Sequence, residues 1–154
     1  MENSSVKNMW NNYANQHLKG TLEKTPRAMH FCDTEKDANH CVELIKSGLK
    51  KATTSSLIGI QNRNEKLPKI GDFTVVTNWG GKAQCIVETT KVTLKPFFSV
   101  DEAYARLDSE KDNSLMHWKK VHMEYYTKEF EAFNRKPNES MIVVCQEFKV
   151  VFNP

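Results

Sequence analysis

A chain of 154 residues, 39% hydrophobic and 27% charged, holds enough apolar material for one folded core and too much for a disordered tail. Its 22 Lys and Arg against 19 Asp and Glu leave a net charge of +3, which excludes a histone-like tail or a polybasic membrane binder. No apolar run reaches the ~18–20 residues that cross a bilayer, and the opening MENSSVKNMWNN shows no secretory pattern. The expectation is a soluble, cytoplasmic domain that engages no membrane.

Residues 1–28 read as an N-terminal helical extension and 29–154 as the main domain. The extension holds a helix from Val6 to Leu18, with Met9, Trp10 and Tyr13 as its apolar residues, followed by a loop. Such a helix packs on its own domain or on a second copy, so a homodimer is one arrangement it allows. Asp33 or Thr34 then caps a helix over 34–47, and Thr34 with Asp37 resembles a capping box. Ala38, Cys41, Val42 and Ile45 form its apolar stripe, and Gly48 closes it. After Leu67-Pro68 the period changes to that of strands. Residues 73–77 and 83–92 are β-branched runs joined by Asn78-Trp79-Gly80-Gly81-Lys82, the pattern of a hairpin. Pro96-Phe97-Phe98 ends the second run, and Ser99 or Asp101 starts a short helix through Leu107. A polar break from Asp108 to Asn113 precedes a long helix from Ser114 to about Phe133. A last strand spans Met141 to Val151. Helices among mostly antiparallel strands predict an α+β fold with a small, strongly bent sheet or barrel.

Cys32, Cys41, Cys85 and Cys145 form no C-x-x-C pair. His117 and His122 are five apart, about 140° round a helix, so they do not share a face. No metal and no cofactor is therefore expected, and the cysteines read as reduced thiols of a cytoplasmic protein.

Two places carry candidate chemistry. Gly48-Leu49-Lys50-Lys51-Ala52-Thr53-Thr54-Ser55-Ser56 sets two lysines and four hydroxyls within seven residues, directly after a helix. In an extended chain Lys51, Thr53 and Ser55 share one face, and Lys50, Ala52 and Thr54 the other. A turn after Lys50 would instead bring its amine to the Thr53 hydroxyl, one way to activate a nucleophile. The same groups suit a phosphate. Glu88 is the second place, a carboxylate on an otherwise buried strand, which calls for a cation such as Lys50 or Lys51. Trp118, His122 and Tyr125 lie on the apolar stripe of the long helix, where packing is the default and base stacking the alternative. Asp112 is placed to cap that helix.

In order and spacing, several segments resemble the ASCH domain, in its longer bacterial subfamily. They are Phe31-Cys32-Asp33, Gly48-x-Lys50-x-Ala52-Thr53-x-Ser55, Leu67-Pro68-Lys69-Ile70-Gly71-Asp72 and Val87-Glu88-Thr89-Thr90-x-Val92. Pro96-Phe97, Asp112-x-Ser114-Leu115-x-x-Trp118, Val121-His122 through Tyr125-Tyr126, and Val144-Cys145-x-x-Phe148 follow. The chain departs at Cys32, where that subfamily usually has Gly, and at Tyr125-Tyr126, where Phe is commoner.

The resemblance implies a PUA-like fold, a small bent barrel flanked by helices, with a cleft beside the Gly-x-Lys-x-x-Thr segment. It implies RNA or nucleotide binding, for which Lys51, Ser55, Asp112, Trp118 and Tyr125 are the candidate ligand-binding residues on their own chemistry. It also implies an alternative, a small hydrolase. Some relatives are ribonucleases, and a smaller subfamily hydrolyses acetylated cytidine with a Lys, a Thr and a Glu. The matching positions are Lys50, Thr53 and Glu88, and the partner would be RNA or a modified nucleoside.

Overall fold

The computed structural model describes residues 4–17, 25–108 and 114–154. In chain order the α-helices and strands are α1 (Ser4–His17), β1 (Arg27–Met29), α2 (Glu35–Lys46), β2 (Ala52–Ser56), α3 (Leu57–Asn62), β3 (Phe73–Thr77), β4 (Ala83–Pro96), α4 (Glu102–Asp108), α5 (Leu115–Glu131) and β5 (Ile142–Phe152). The strands form one sheet in the order β1-β3-β4-β5-β2. This is the α+β class expected. The chain divides into two compact units, 1–49 with 71–89 and 148–154, and 50–70 with 90–147.

In the first unit, local signals act as the sequence predicts. The Thr34 hydroxyl accepts from the Asp37 amide at 3.2 Å, so α2 begins on a side-chain cap. Gly48 takes φ +80°, the left-handed geometry that ends a helix without a Cβ clash. Ala38, Cys41, Val42 and Ile45 are all buried, and α2 packs through the last three on Val76, Cys85, Val87 and Phe148. β3 and β4 pair antiparallel from Phe73 opposite Glu88 to Val75 opposite Ile86, with a bulge at Val76/Thr77. Their turn closes with the Asn78 amide donating to the Lys82 carbonyl at 3.0 Å. β1 adds parallel to β3. The N-terminal helix is built into this unit, since Val6, Trp10 and Tyr13 of α1 bury against Val75, Ala83 and Ile86.

In the second unit, β2 pairs antiparallel with β5, from Ala52 opposite Glu147 to Ser56 opposite Val143. Ala52, Val143 and Cys145 join Tyr104 and Ala105 of α4 and Trp118, Tyr126 and Phe130 of α5 in one core. α3, which no sequence signal announced, follows β2 without a break. Ser56 caps it by accepting from the Gly59 amide at 3.0 Å and donates its own hydrogen to Glu129 at 2.5 Å. Arg63 then holds the other Glu129 oxygen at 3.0 Å and also pairs with Glu65.

Candidate functional site

Alternation along β2 decides which of its side chains meet the helices. Ala52, Thr54 and Ser56 point into the second unit's core, whereas Thr53 and Ser55 point the other way, where both are half-buried. Lys50 follows the inner side. Its ammonium reaches Asp108, the last residue of α4, donating to the carboxylate Oδ1 at 2.5 Å and to the backbone carbonyl at 2.9 Å. Both side chains are nearly sealed, with 4% and 2% of their surface exposed. Lys51 is exposed on the outer side, and only its backbone N–H turns inward, to the Leu107 carbonyl at 2.7 Å.

Besides Lys50, which lies just before β2, Asp108 draws partners from β2 and α5. Its Oδ2 accepts from the Thr54 hydroxyl at 2.6 Å and from the Trp118 indole N–H at 3.0 Å, and lies 3.1 Å from His122 Nε2. The other His122 nitrogen lies 2.8 Å from the Trp118 carbonyl. The ring thus faces an oxygen at each nitrogen. Burial alone would disfavour the charge of Asp108. The Lys50 ammonium, with His122 behind it, prevails and holds the carboxyl well below the usual carboxylate range. Tyr104 and Tyr126 surround the same group. Burial, together with the Asp108 charge, pushes both phenols far above their ordinary value, so they act as neutral donors. Tyr104 donates to the Thr53 carbonyl at 2.9 Å and Tyr126 to the Thr54 carbonyl at 3.2 Å. Among the described residues no buried side-chain nitrogen or oxygen lacks a hydrogen-bond partner.

The predicted site residues therefore separate. Lys50 and Glu88 take different partners, because Asp108 supplies the carboxylate that the buried lysine needs. Glu88, opposite Phe73 on the hairpin, is 30% exposed and faces Lys149 at 3.9 Å. Lys50 shares its carboxylate with Thr54, not Thr53. Trp118 is 2% exposed and stacks on Phe97 and His122, so it packs and does not wait for a base. Tyr125 is 42% exposed. Asp112 lies outside the described residues. Asp108, Thr54 and Tyr104 were not singled out from the sequence. Asp108 is read there as the start of a polar break, yet it stands four residues after Tyr104, one helical turn on and on the same face. Among the described residues no group of three or more His, Cys, Asp or Glu is placed to hold a metal ion. No helix among them is long and apolar enough to cross a membrane.

Known proteins match this chain in sequence and fold. The family model for the ASCH domain matches residues 27–152, and the chain belongs to that family. The crystal structure of an ASCH domain from Lactobacillus crispatus JV V101 superposes with a TM-score of 0.91 at 30% identity. It covers 99% of this chain and 97% of its own, so the likeness includes the N-terminal helix. A protein of Enterococcus faecalis V583 gives a TM-score of 0.88 at 29% identity, over 97% of this chain and 90% of its own. No curated protein matches the chain.

Proposed function

We propose that this ASCH protein binds RNA or a nucleotide along the outer side of β2, through Lys51, Thr53 and Ser55. The observation that carries the reading is the division of labour between adjacent lysines. Lys50 is sealed and committed to Asp108, whereas Lys51 is exposed beside two half-buried hydroxyls on its own face. An ammonium and hydroxyls at every second residue of a strand suit phosphate oxygens, which position a nucleic acid without reading its sequence. The same division works against the hydrolase alternative. A base for the Thr53 hydroxyl needs an amine with a free lone pair, and Lys50 gives its hydrogens to Asp108.

Titration of labelled, short single-stranded RNA and duplex DNA at low and moderate salt tests this. The expected result is preferential RNA binding with a shallow salt slope, because few phosphates are neutralised. It should weaken several-fold in Lys51→Ala and less in Thr53→Val. Folded protein that binds no RNA at either salt overturns the reading. Turnover of an acetylated cytidine that disappears in Thr53→Val would establish the hydrolase instead.

A further inference from the structure

We propose that Cys32 and Cys41 form a site of reversible oxidation, in which an intramolecular disulfide closes under a two-electron oxidant such as a peroxide. The proposal uses none of the β2 residues. The two sulfurs lie 2.9 Å apart, a thiol–thiol hydrogen bond across nine residues of sequence. A disulfide needs ~2.05 Å, so the sulfurs have roughly 0.9 Å left to close. Both positions belong to the first unit, packed with Phe31, Val42, Ile45 and Phe148.

The two thiols differ in the way such a reaction requires. Cys41 is on α2 with none of its surface exposed, whereas Cys32 is half-buried on the loop that leads into α2. Cys32 also takes φ +71°, the left-handed conformation that glycine adopts freely and a side chain adopts at a cost. A cysteine is thus held in a strained position with its sulfur against a second sulfur and with access from solvent. The other two cysteines offer no competition. Cys85 and Cys145 are buried, and burial pushes their thiols up to about 11.

Cys32 is the attacking group. Its thiolate takes one oxygen from the peroxide as the O–O bond breaks, forming a sulfenic acid, and the other oxygen leaves as water. Cys41 sulfur then attacks Cys32 Sγ. The S–O bond breaks, and the hydroxide leaves with the Cys41 proton as a second water. Two thiols have lost two electrons and the peroxide has become two waters. The bond ties the loop before α2 to the second turn of that helix.

The test uses the full chain, folded, treated with hydrogen peroxide, then alkylated and digested with trypsin. Cleavage after Lys36 separates the two cysteines, so a species joining peptides 28–36 and 37–46 reports the bond directly. The expected result is a loss of two of the four thiols, that joined species, and return of both thiols with a reductant. Cys32→Gly, which suits the left-handed turn, should keep its remaining three thiols under the same treatment. Cys41→Ala should trap the sulfenic acid on Cys32, read as an adduct with a cyclic dione. Four surviving thiols would overturn the proposal. So would thiol loss without the joined peptides, or loss of thiols in Cys32→Gly. If Cys41→Ala fails to fold, Cys32→Gly still decides the matter.

Discussion

Two carboxylates receive hydroxyl hydrogens from the inner side of β2, two residues apart, and they live in different electrical worlds. Thr54 donates to Asp108 at 2.6 Å and Ser56 donates to Glu129 at 2.5 Å. Asp108 is 2% exposed, and its cation is the equally buried Lys50. Glu129 is 11% exposed, and its cation is Arg63, whose side chain is 44% exposed. Coulomb attraction grows as water is excluded, and so does the penalty for losing one partner. The Asp108 cluster is therefore the one where a single deletion is severe, and the Glu129 cluster the one where solvent steps in.

Lys50→Met should show the contrast at its largest. It strands a buried carboxylate and should cost roughly 3–5 kcal/mol, read as a lowered urea midpoint at neutral pH. A loss below ~1 kcal/mol would mean that Asp108 rehydrates and that the two clusters are alike. Replacing the pair together, Lys50→Met with Asp108→Leu, should cost less than the sum of the single changes.

The pH dependence sharpens the same point. The folded Asp108 carboxyl titrates well below its ordinary value of 3.8, so the folded state binds fewer protons than the unfolded one. Its stabilisation is present above about pH 4 and is lost as the pH falls from there towards the folded value. The stability gap between the wild type and Asp108→Asn should therefore narrow on acidification in urea titrations. A gap independent of pH would remove the depressed carboxyl from the account.

At the Glu129 cluster the sensitive position is a glycine. A Cβ on Gly59 would stand 2.7 Å from Ser56 Oγ, 2.8 Å from Glu129 Oε1 and 2.9 Å from Arg63 Nη1. Gly→Ala in a helix ordinarily stabilises. Here Gly59→Ala should instead cost about 1–3 kcal/mol through displaced polar contacts. A gain in the thermal midpoint would show that those side-chain ends move aside freely. Arg63→Ala should be the mildest change, under ~1 kcal/mol and smaller still in high salt, because water screens that pair.

Much of this arrangement was legible before the structure, and what escaped did so for physical reasons. Thr34, Gly48, the Asn78–Lys82 turn and the buried stripe of α2 are local devices, in which neighbours in sequence are neighbours in space. The alternation of Lys50 and Lys51 is equally local, and it correctly set the two lysines on opposite sides. Asp108 is not local. It meets Lys50 across 58 residues, and a carboxylate at a helix end looks like any solvated one. In the sequence the visible anomaly is Glu88, an acid on an apolar strand, which calls for a cation such as Lys50 or Lys51. α3 has six residues and β1 three, too few for a period to register.

One feature of β2 bears on how separate copies of the chain meet. It stands last in the strand order, where a sheet is open to extension by a foreign strand. The Tyr104 and Tyr126 hydroxyls already donate to the successive carbonyls of Thr53 and Thr54. Carbonyls of neighbouring residues point to opposite edges of a strand, one of these towards β5 and the other towards the open side, so one acceptor that a second molecule's amide would seek is occupied from within. A tyrosine that crowds the Asp108 carboxylate thus also blunts the sheet margin, at a point where an edge strand is otherwise open to edge-to-edge pairing.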